Sequence, residues 1–167
     1  MSRSLGSELP SDLLARLSGR DLESVASKVI QIITVDASGW SHPALLSYFE
    51  VVAPSATCIR LATYATSTTS GNLRRAGKLT LAVIDERVAY YIKAHAVEIA
   101  RTLRSTDWNA AFDCRIEQVL ADEVNEEHEP GAYVASGVTY FNPRRTEELE
   151  RARRLLAELA ALPQGHD

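Results

Sequence analysis

The sequence predicts a mainly β protein, a β-barrel of about six to seven mostly antiparallel strands with peripheral helices. Three observations support this fold class: segments rich in β-branched and aromatic residues recur along the middle of the chain, short polar turns separate most of them, and helical patterns are confined to the two ends and one short stretch. Short turns favour antiparallel neighbours, because parallel strands need a long crossover. We expect one domain over residues 1–167, with N-terminal helices (1–27), a barrel (28–141) and a C-terminal helix (145–162).

Composition and charge restrict the classes of function. Of the 167 residues, 46% are hydrophobic and 24% are charged, as in soluble globular domains. A net charge of -4 argues against a nucleic-acid partner, because phosphate binding needs clustered cations. No apolar run reaches the ~20 residues of a membrane helix, and no signal-peptide pattern is present. We therefore expect no membrane partner, a cytoplasmic location, and buried, reduced thiols at Cys58 and Cys114.

Helix signals lie towards both ends of the chain. Ser11 is the predicted N-cap of a first helix and Asp21 of a second, with Gly19 between them. A longer helix is predicted over residues 146–162, before Pro163. Apolar residues at helical spacing support these three helices in turn: Leu13, Leu14 and Leu17; Leu22, Val25 and Val29; and Leu149, Leu155, Leu156, Leu159 and Leu162.

Strand signals fill the middle of the chain. Residues 29–35 are rich in β-branched side chains, a turn follows at 36–39, and residues 44–52 form the second arm of a hairpin. A short helix at 72–77 interrupts the strands. Residues 110–120 fit a helix by propensity alone, but their alternation favours a strand. The remaining predicted strands are 57–64, 79–84, 88–99, 114–121 and 132–141, the last kinked at Gly137.

The strongest local signal for chemistry is a hydroxyl-rich stretch between the third strand and the short helix. Six of the eleven residues from 63 to 73 are Ser or Thr. Hydroxyl groups and free backbone N–H groups at a helix N-terminus can bind an anion, helped by the helix dipole. The alternative is a solvated loop with an ordinary helix cap, which composition alone favours. The sequence contains no nucleotide-binding glycine loop, nucleophile elbow or histidine pair, so no metal site is expected.

The order of these segments resembles the FMN-binding split-barrel family, which includes pyridoxamine 5'-phosphate oxidase. A hairpin strand at 42–47 is followed by a strand ending near Thr63 and by a turn at 67–73 that is similar to the family's Ser-x-Lys-x-x-Asn-Leu pattern. The segment 90–97 resembles the family's Tyr-x-Val-Lys-Gly-x-Ala strand. The resemblance covers residues 29–141. It implies a split β-barrel that binds FMN, or a deazaflavin in its place.

The resemblance also implies which residues bind the cofactor. Four residues of the hairpin strand would line the isoalloxazine ring, and two at the end of the third strand would contact the ring or the ribityl chain. Two hydroxyl residues would bind the phosphate, and two residues of the short helix would close over the cofactor. In that order, these residues are Ala44, Leu45, Leu46 and Ser47; Ala62 and Thr63; Ser67 and Thr69; and Asn72 and Leu73.

The implied function is that of a flavin-dependent oxidoreductase of unknown substrate. Family members are homodimers with flavin sites at the subunit interface, so a homodimer acting on a small-molecule substrate or electron donor is implied here. No catalytic residue is assigned, although His42, Tyr48 and His95 are candidates for acid–base roles. The alternatives are a non-catalytic binding or sensing module for a flavin, a deazaflavin or haem, a member that has lost its cofactor, and a purely structural dimeric barrel.

Two departures from the family bear on this reading. The C-terminal Trp and Arg pattern with which the oxidase holds its substrate is absent, so pyridoxamine phosphate is not expected as the substrate. Where the oxidase binds the phosphate with basic residues, this chain has His42, Thr68 and Thr69. A charged hydrogen bond contributes ~1.5–3 kcal/mol and a neutral one ~0.5–1.5 kcal/mol. Compensating charge would have to come from Arg60, Arg74, Arg75 or Lys78.

Overall fold

Antiparallel pairing, both of neighbouring strands and of strands far apart in the chain, builds one β-sheet with helices around it. The structure is a computed structural model that describes residues 2–165. A short 3-10 turn at Tyr48–Glu50 joins the third strand to the fourth. The elements are β1 (Ser2–Gly6), α1 (Ser11–Arg16), β2 (Val29–Val35), β3 (Ser41–Ser47), β4 (Val51–Ser55), β5 (Cys58–Tyr64), α2 (Thr68–Ala76), β6 (Lys78–Asp85), β7 (Val88–Ala100), β8 (Asn109–Asp122) and α3 (Leu149–Ala161).

The strand order explains why the sheet curves into a split barrel. The strands lie in the order β3-β2-β6-β7-β8-β5-β4, with β1 paired to β8, and all of these pairings are antiparallel. The two end strands of this path, β3 and β4, are joined by only the three residues of the 3-10 turn. Because so short a connection holds the two ends close together, the sheet must bend round on itself. The predicted mainly antiparallel barrel is confirmed.

Two hydrophobic clusters lie on opposite faces of β5. Ile59 and Leu61 point into the larger cluster, inside the barrel, whereas Ala62 belongs to a second cluster under α3. This alternation is expected, because successive side chains of a strand point to opposite faces. Strand β5 is buried on both sides as a result. The second cluster consists of Leu22, Phe49, Val52, Ala62, Leu103, Ala111, Ala152, Leu155, Leu156 and Leu159.

The predicted strand at 44–52 is wrong as one element, because the chain breaks at a capping box. Ser47 Oγ accepts a hydrogen bond from the Phe49 N–H at 3.1 Å, and Glu50 Oε2 accepts one from the Ser47 N–H at 2.8 Å. This reciprocal pair begins a helical turn. The turn redirects the chain from pairing with β2 to pairing with β5.

The second predicted N-terminal helix, capped by Asp21, is also wrong. Residues 22–27 form successive turns, in which the Ala26 N–H donates to the Glu23 carbonyl and the Lys28 N–H donates to the Val25 carbonyl. Val29 then begins β2 opposite Ser47. Strand pairing therefore includes Val29, which its spacing alone would place on a helix.

The predicted strand at 132–141 is wrong as well. This segment makes separate hydrogen bonds to three places: its Val134 carbonyl accepts from the Arg87 N–H, its Val138 carbonyl accepts from the Val29 N–H, and its Tyr140 N–H donates to the Ser27 carbonyl. Its only β-bridge among the described residues joins Thr139 to Lys28. Gly137 passes so close to Ile84 that a Cβ there would lie 2.0 Å from the Ile84 carbonyl oxygen. The segment thus crosses over strand ends and does not extend the sheet.

Smaller differences concern element lengths. Strand β1 was not predicted, β8 begins earlier than expected because Asn109 pairs with Tyr64 of β5, and α2 begins at Thr68 and not at residue 72. The C-terminal helix begins at Leu149, after turns, and not at residue 146. The predicted strand at 29–35 is confirmed, as are close counterparts of those at 57–64, 79–84 and 88–99.

A buried arginine fixes helix α3 to the sheet. Arg60 of β5 is 3% exposed and points to the α3 side. Its Nε donates to Asp113 Oδ1 on β8 at 2.8 Å, and its Nη1 donates to the carbonyls of Leu159 and Ala160 at 2.8 and 2.9 Å. The last carbonyls of a helix have no partner within the helix, and a cation also interacts favourably with this end of the helix dipole. Arg60 therefore holds the C-terminal end of α3 against β5.

A second buried ion cluster joins the N-terminal region to β6. Asp85 is buried and accepts hydrogen bonds from Arg16 of α1 and from Lys28. Burial raises the pKa of this carboxyl, but hydrogen bonds from Lys28 and from the Glu86 N–H, together with the charge of Arg16, lower it by more. The pKa of Asp85 in the folded protein therefore lies below its ordinary value. The cluster stabilises the fold when Asp85 is ionised.

We predict that Arg60→Met lowers the free energy of unfolding by about 3–5 kcal/mol, because it leaves Asp113 and two helix carbonyls without their buried partner. Urea denaturation at neutral pH measures the change. The control is Arg115→Met, which removes an arginine whose side chain is 61% exposed and lies 3.6 Å from Glu117. An exposed pair of this kind contributes only about 0–1 kcal/mol. Equal effects of the two substitutions would contradict the role assigned to Arg60.

We predict that Asp85→Asn destabilises the protein at neutral pH but much less at pH 3. Since the folded-state pKa is lowered, the stabilisation by this carboxylate is present above the unfolded-state pKa of about 3.9 and is lost as the pH falls through the folded value. Urea denaturation across this pH range measures the difference from wild type. Substitution of the exposed Asp107 by Asn serves as the control. A destabilisation by Asp85→Asn that stays constant with pH would argue against the ion cluster.

Candidate functional site

A cleft of about 690 Å³ opens where the sheet meets α3. Its lining residues lie within four segments: 44–50 on β3 and the 3-10 turn, 63–69 at the end of β5 and the start of α2, 106–109 before β8, and 140–155 leading into α3. Val29 also contributes. Sites for small molecules and cofactors have volumes of about 300–1,000 Å³. The cleft is therefore large enough for a cofactor-sized ligand.

Most of the residues to which the sequence assigned cofactor binding line this cleft. Segments far apart in sequence meet here because β3 and β5 both end at the same side of the barrel. The residues brought together are Ala44, Leu45, Leu46, Ser47, Thr63, Ser67 and Thr69.

The other three predicted residues lie outside the cleft lining. Ala62 is buried in the cluster under α3, and Leu73 is buried inside the barrel. Asn72 is buried, and its Nδ2 donates to Thr34 Oγ1 on β2 at 3.0 Å. Their observed contacts are structural, since they hold β5 and α2 in place; a contact with a cofactor stays a prediction for these three.

The start of α2 is a capped helix N-terminus beside the cleft. Ser67 is the N-cap, and its Oγ accepts from the Ser70 N–H at 3.1 Å. Ser70 Oγ in turn lies 2.6 Å from Thr63 Oγ1 and donates to the Tyr64 carbonyl at 2.7 Å. These bonds fix the turn and use some of its hydroxyl groups internally. The first N–H groups of a helix have no partner within it, so the helix start can still donate to an anion.

The expected compensating cations do not line the cleft. Arg60 is bound to Asp113 and α3, Arg74 pairs with Glu98, and Arg75 donates to the Val35 carbonyl. Lys78 is exposed at the start of β6. The expectation that one of these four residues supplies the missing positive charge of the phosphate site is therefore wrong.

Two other arginines do line the cleft, and sequence reasoning missed both. Arg145 stacks on the Phe49 ring at 4.8 Å, has a side chain that is 15% exposed, and lies 3.5 Å from Glu148. Arg151 lies over the Trp108 ring at 5.7 Å and 3.1 Å from the same Glu148. Arg145 precedes α3 and Arg151 is within it, in a segment that reads as an ordinary charged helix. Only the packing of α3 on the sheet brings their charges to the cleft.

Unpartnered polar atoms also concentrate at the cleft. In residues 2–165, four buried side-chain polar atoms have no hydrogen-bond partner, and Thr106 Oγ1, Asn109 Nδ2 and Arg145 Nε belong to residues that line the cleft. Thr106 is 4% exposed and Asn109 is 2% exposed. A buried polar group without a partner costs about 1–3 kcal/mol, and such groups are rare in native proteins. Their collection at one cleft is typical of a ligand-binding site.

The cleft contains one carboxyl group with a raised pKa. Burial of the Glu50 side chain raises the pKa of its carboxyl, while the hydrogen bond from the Ser47 N–H and the charge of Arg145 lower it, and Glu148 raises it. The net shift is upward. The proton on Glu50 is thus held to a higher pH than on an ordinary glutamate, next to the space that a ligand would fill.

The acid–base candidates from the sequence lie elsewhere. Tyr48 is buried, and its hydroxyl oxygen accepts from Arg16 Nε at 3.0 Å. His42 is on β3 but outside the cleft lining, and His95 lines a separate cavity of about 200 Å³. His166 lies outside the described residues. No group of three or more potential metal ligands occurs within residues 2–165.

Neither cysteine is a candidate nucleophile. Cys58 and Cys114 are free and buried, as predicted. Burial, followed by the hydrogen bond with Asp113, raises the pKa of the Cys58 thiol to about 11. Burial also raises the pKa of Cys114 well above its ordinary value. Since the thiolate is the reactive form, both thiols are unreactive near neutral pH.

We predict that Glu50→Gln becomes more stabilising relative to wild type as the pH rises from 4 to 8. Because the folded-state pKa of Glu50 is raised, its ionisation above the unfolded-state pKa of about 4.3 destabilises the fold, and glutamine removes this effect. Glutamine also keeps the capping box. Melting temperatures at both pH values measure the difference. Glu150→Gln, at a site whose side chain is 69% exposed, is the control. A difference for Glu50→Gln that does not change with pH would contradict the assignment.

The chain is similar in sequence to one curated protein. No family model matches the chain. The uncharacterized protein YclD of Bacillus subtilis is 29% identical over 147 residues, which are 88% of this chain and 92% of that protein.

Within residues 2–165, no helix is both long enough and apolar enough to span a membrane.

Two solved structures have the same arrangement of strands at low sequence identity. A "putative pyridoxamine 5'-phosphate oxidase" from Lactobacillus delbrueckii matches with a TM-score of 0.55 and 15% identity, over 70% of this chain and 98% of that chain. HupZ from Group A Streptococcus matches with a TM-score of 0.54 and 12% identity, over 68% of this chain and 93% of that chain. The chain therefore has the split-barrel fold of the pyridoxamine 5'-phosphate oxidase-like proteins, as its sequence predicted.

Proposed function

We propose that this protein binds FMN in the cleft and acts as a flavin-dependent oxidoreductase. One observation carries the proposal. The cleft brings together the strand residues 44–47, the hydroxyl-rich start of α2 and two arginines that sequence reasoning did not place there. These groups offer an apolar wall, a helix N-terminus and positive charge, which are the features that an aromatic ligand with a phosphate requires.

The residues present fit such a cofactor. Ser67 and Thr69, with the first N–H groups of α2, would hold the phosphate, and residues 44–47 would lie against the ring system. Arg151, which lines the same cleft, adds positive charge to it, although its guanidinium group also lies 3.1 Å from Glu148. When bound, the flavin supplies the redox chemistry, and the protein supplies its binding, orientation and electrostatic surroundings.

Two features of the protein side would serve an oxidoreductase. The Glu50 carboxyl retains its proton to a higher pH than usual, and it lines the cleft, so it is placed to exchange a proton with a bound molecule. Ser47 and Thr63, which carry hydroxyl groups, line the same cleft. We propose these three groups as the ones that hold or move protons around the bound ligands.

We propose that the protein is a homodimer with the cleft at the subunit interface. Several large apolar side chains at the cleft remain exposed, which is unusual for a surface that only water covers. Contact with a second copy would bury them and complete the walls of the cleft. The exposed residues of this kind that line the cleft are Leu45, Tyr64, Trp108 and Tyr140.

A non-catalytic binding module for a flavin, a deazaflavin or haem is the second candidate function. The observation that favours it is the state of the hydroxyl groups at the start of α2, since Thr63, Ser67 and Ser70 bond to one another and no basic residue of β5 or α2 lines the cleft. This helix start holds a phosphate less firmly than one with basic side chains. Rapid reduction of a bound flavin by a nicotinamide cofactor would count against this candidate.

The first experiment is an absorption spectrum of the purified protein, followed by titration with FMN and gel filtration. A flavin spectrum, or an FMN dissociation constant in the micromolar range or below, would support the proposal. A colourless protein that does not bind FMN would overturn it. Gel filtration with light scattering tests the dimer separately, because the mass is independent of the cofactor.

We predict that the double substitution Ser67→Asp and Thr69→Asp raises the FMN dissociation constant by roughly a hundredfold or more, because two negative charges would face the phosphate. The helix should remain folded, since Asp is also a good N-cap and negative charge is favourable in the first turn of a helix. FMN titration and a thermal melt measure the two effects.

The control is Ser11→Asp, which places one negative charge in the first turn of α1, outside the cleft lining. It should leave FMN affinity unchanged. If the double variant binds FMN as tightly as wild type while the fold is intact, the phosphate does not lie at the start of α2.

A further inference from the structure

Three residues that line the cleft each carry a buried polar atom that has no hydrogen-bond partner and can donate a hydrogen bond. Asn109 Nδ2 and Arg145 Nε can only donate hydrogen bonds, and the Thr106 hydroxyl can donate one. All three belong to residues that line the cleft, and none has a partner within the described part of the chain. A ligand that satisfies them must therefore present hydrogen-bond acceptors.

The surroundings of these groups select a negatively charged acceptor. Arg145 is largely buried between the rings of Phe49, at 4.8 Å, and Tyr140, at 6.0 Å. It lies 3.5 Å from Glu148, which is longer than a good charged hydrogen bond, and its charge also acts on the Glu50 carboxyl, whose pKa nevertheless stays raised. A positive charge that is mostly removed from water and only weakly paired favours an anion.

The three groups come from chain segments other than the start of α2. Thr106 and Asn109 lie in and just after the loop between β7 and β8, and Arg145 lies before α3. The carboxyl groups that share the cleft are Glu50 and Glu148, and the second cation is Arg151. The cleft thus contains a set of donors that is distinct in sequence from the set assigned to the FMN phosphate.

We propose that Thr106, Asn109 and Arg145 form a subsite that binds the oxyanion, a carboxylate or a phosphate group, of a second small molecule in the cleft. The inference deepens the proposed function, on which it rests, because it names the chemistry of the substrate or electron donor that shares the site with FMN. That molecule is an anion, and its charged group contacts these three side chains.

The first test separates a binding role from a structural one. Thr106→Val and Asn109→Leu remove the unpartnered atoms and nearly preserve side-chain volume. If those atoms serve only a ligand, both variants should melt at or above the wild-type temperature without ligand. The matched control is Thr34→Val, at a threonine that is 1% exposed and accepts a hydrogen bond from Asn72 at 3.0 Å. This control should melt several degrees lower, because it leaves the Asn72 amide unpaired.

The second test measures anion binding directly in the FMN-free protein. Malonate represents a carboxylate and inorganic phosphate represents a phosphate, each titrated by calorimetry against sodium chloride at equal ionic strength. We expect saturable binding of at least one probe to wild type, and a dissociation constant raised about tenfold or more by Arg145→Met and by Asn109→Leu. The probe that binds identifies which oxyanion the subsite takes. Binding of neither probe would overturn the proposal.

The Ser67→Asp, Thr69→Asp variant decides where an anion binds. Anion affinity that survives in this variant but is lost in Arg145→Met supports a separate subsite. Affinity lost in the double Asp variant and kept in Arg145→Met overturns the proposal, because the anion then lies at the start of α2. Failure of the proposed function is distinguishable, since it appears as absent FMN binding to wild type whatever the anion titration gives.

Discussion

The hydrogen bonds of the buried Arg60 side chain are the interaction on which the site depends. Arg60 joins β5 to Asp113 on β8 and to the last carbonyls of α3. A guanidinium group suits this position, because it is always charged and offers several donors in a fixed geometry. Without this contact, α3 and the segment before it would lose their hydrogen-bonded anchor to the sheet. The outer wall of the cleft, with Arg145, is built on that anchor.

The cleft also reflects a conflict between stability and binding. A protein optimised only for stability would pair or remove the polar atoms of Thr106 and Asn109, and it would not bury Glu50 so that its pKa rises. These features lie together at one side of the barrel, while the barrel interior holds apolar side chains in contact with one another. Local destabilisation concentrated in one cleft is typical of a site whose polar groups gain their hydrogen-bond partners when a ligand binds.

Sequence reasoning succeeded where local patterns and tertiary pairing agree. The β-branched run of β2 and the left-handed Gly77 that ends α2 are local signals, and the structure follows them. It failed where a local signal was overlooked or overridden. The Ser47–Glu50 capping box is visible in the sequence, but the predicted strand over residues 44–52 runs through it. The spacing of Leu22, Val25 and Val29 predicts a helix, but Val29 pairs in β2.

The sequence by itself determined the fold class and one wall of the cleft, because alternation, turns and helix caps depend on residues close together in the chain. It thereby indicated residues 44–47 and the start of α2. The tertiary structure alone decided the other wall. Whether an arginine faces a cleft, as Arg145 does, or a buried aspartate, as Arg60 does, depends on how α3 packs against the sheet. That packing is set by contacts between residues far apart in sequence, which no local pattern records.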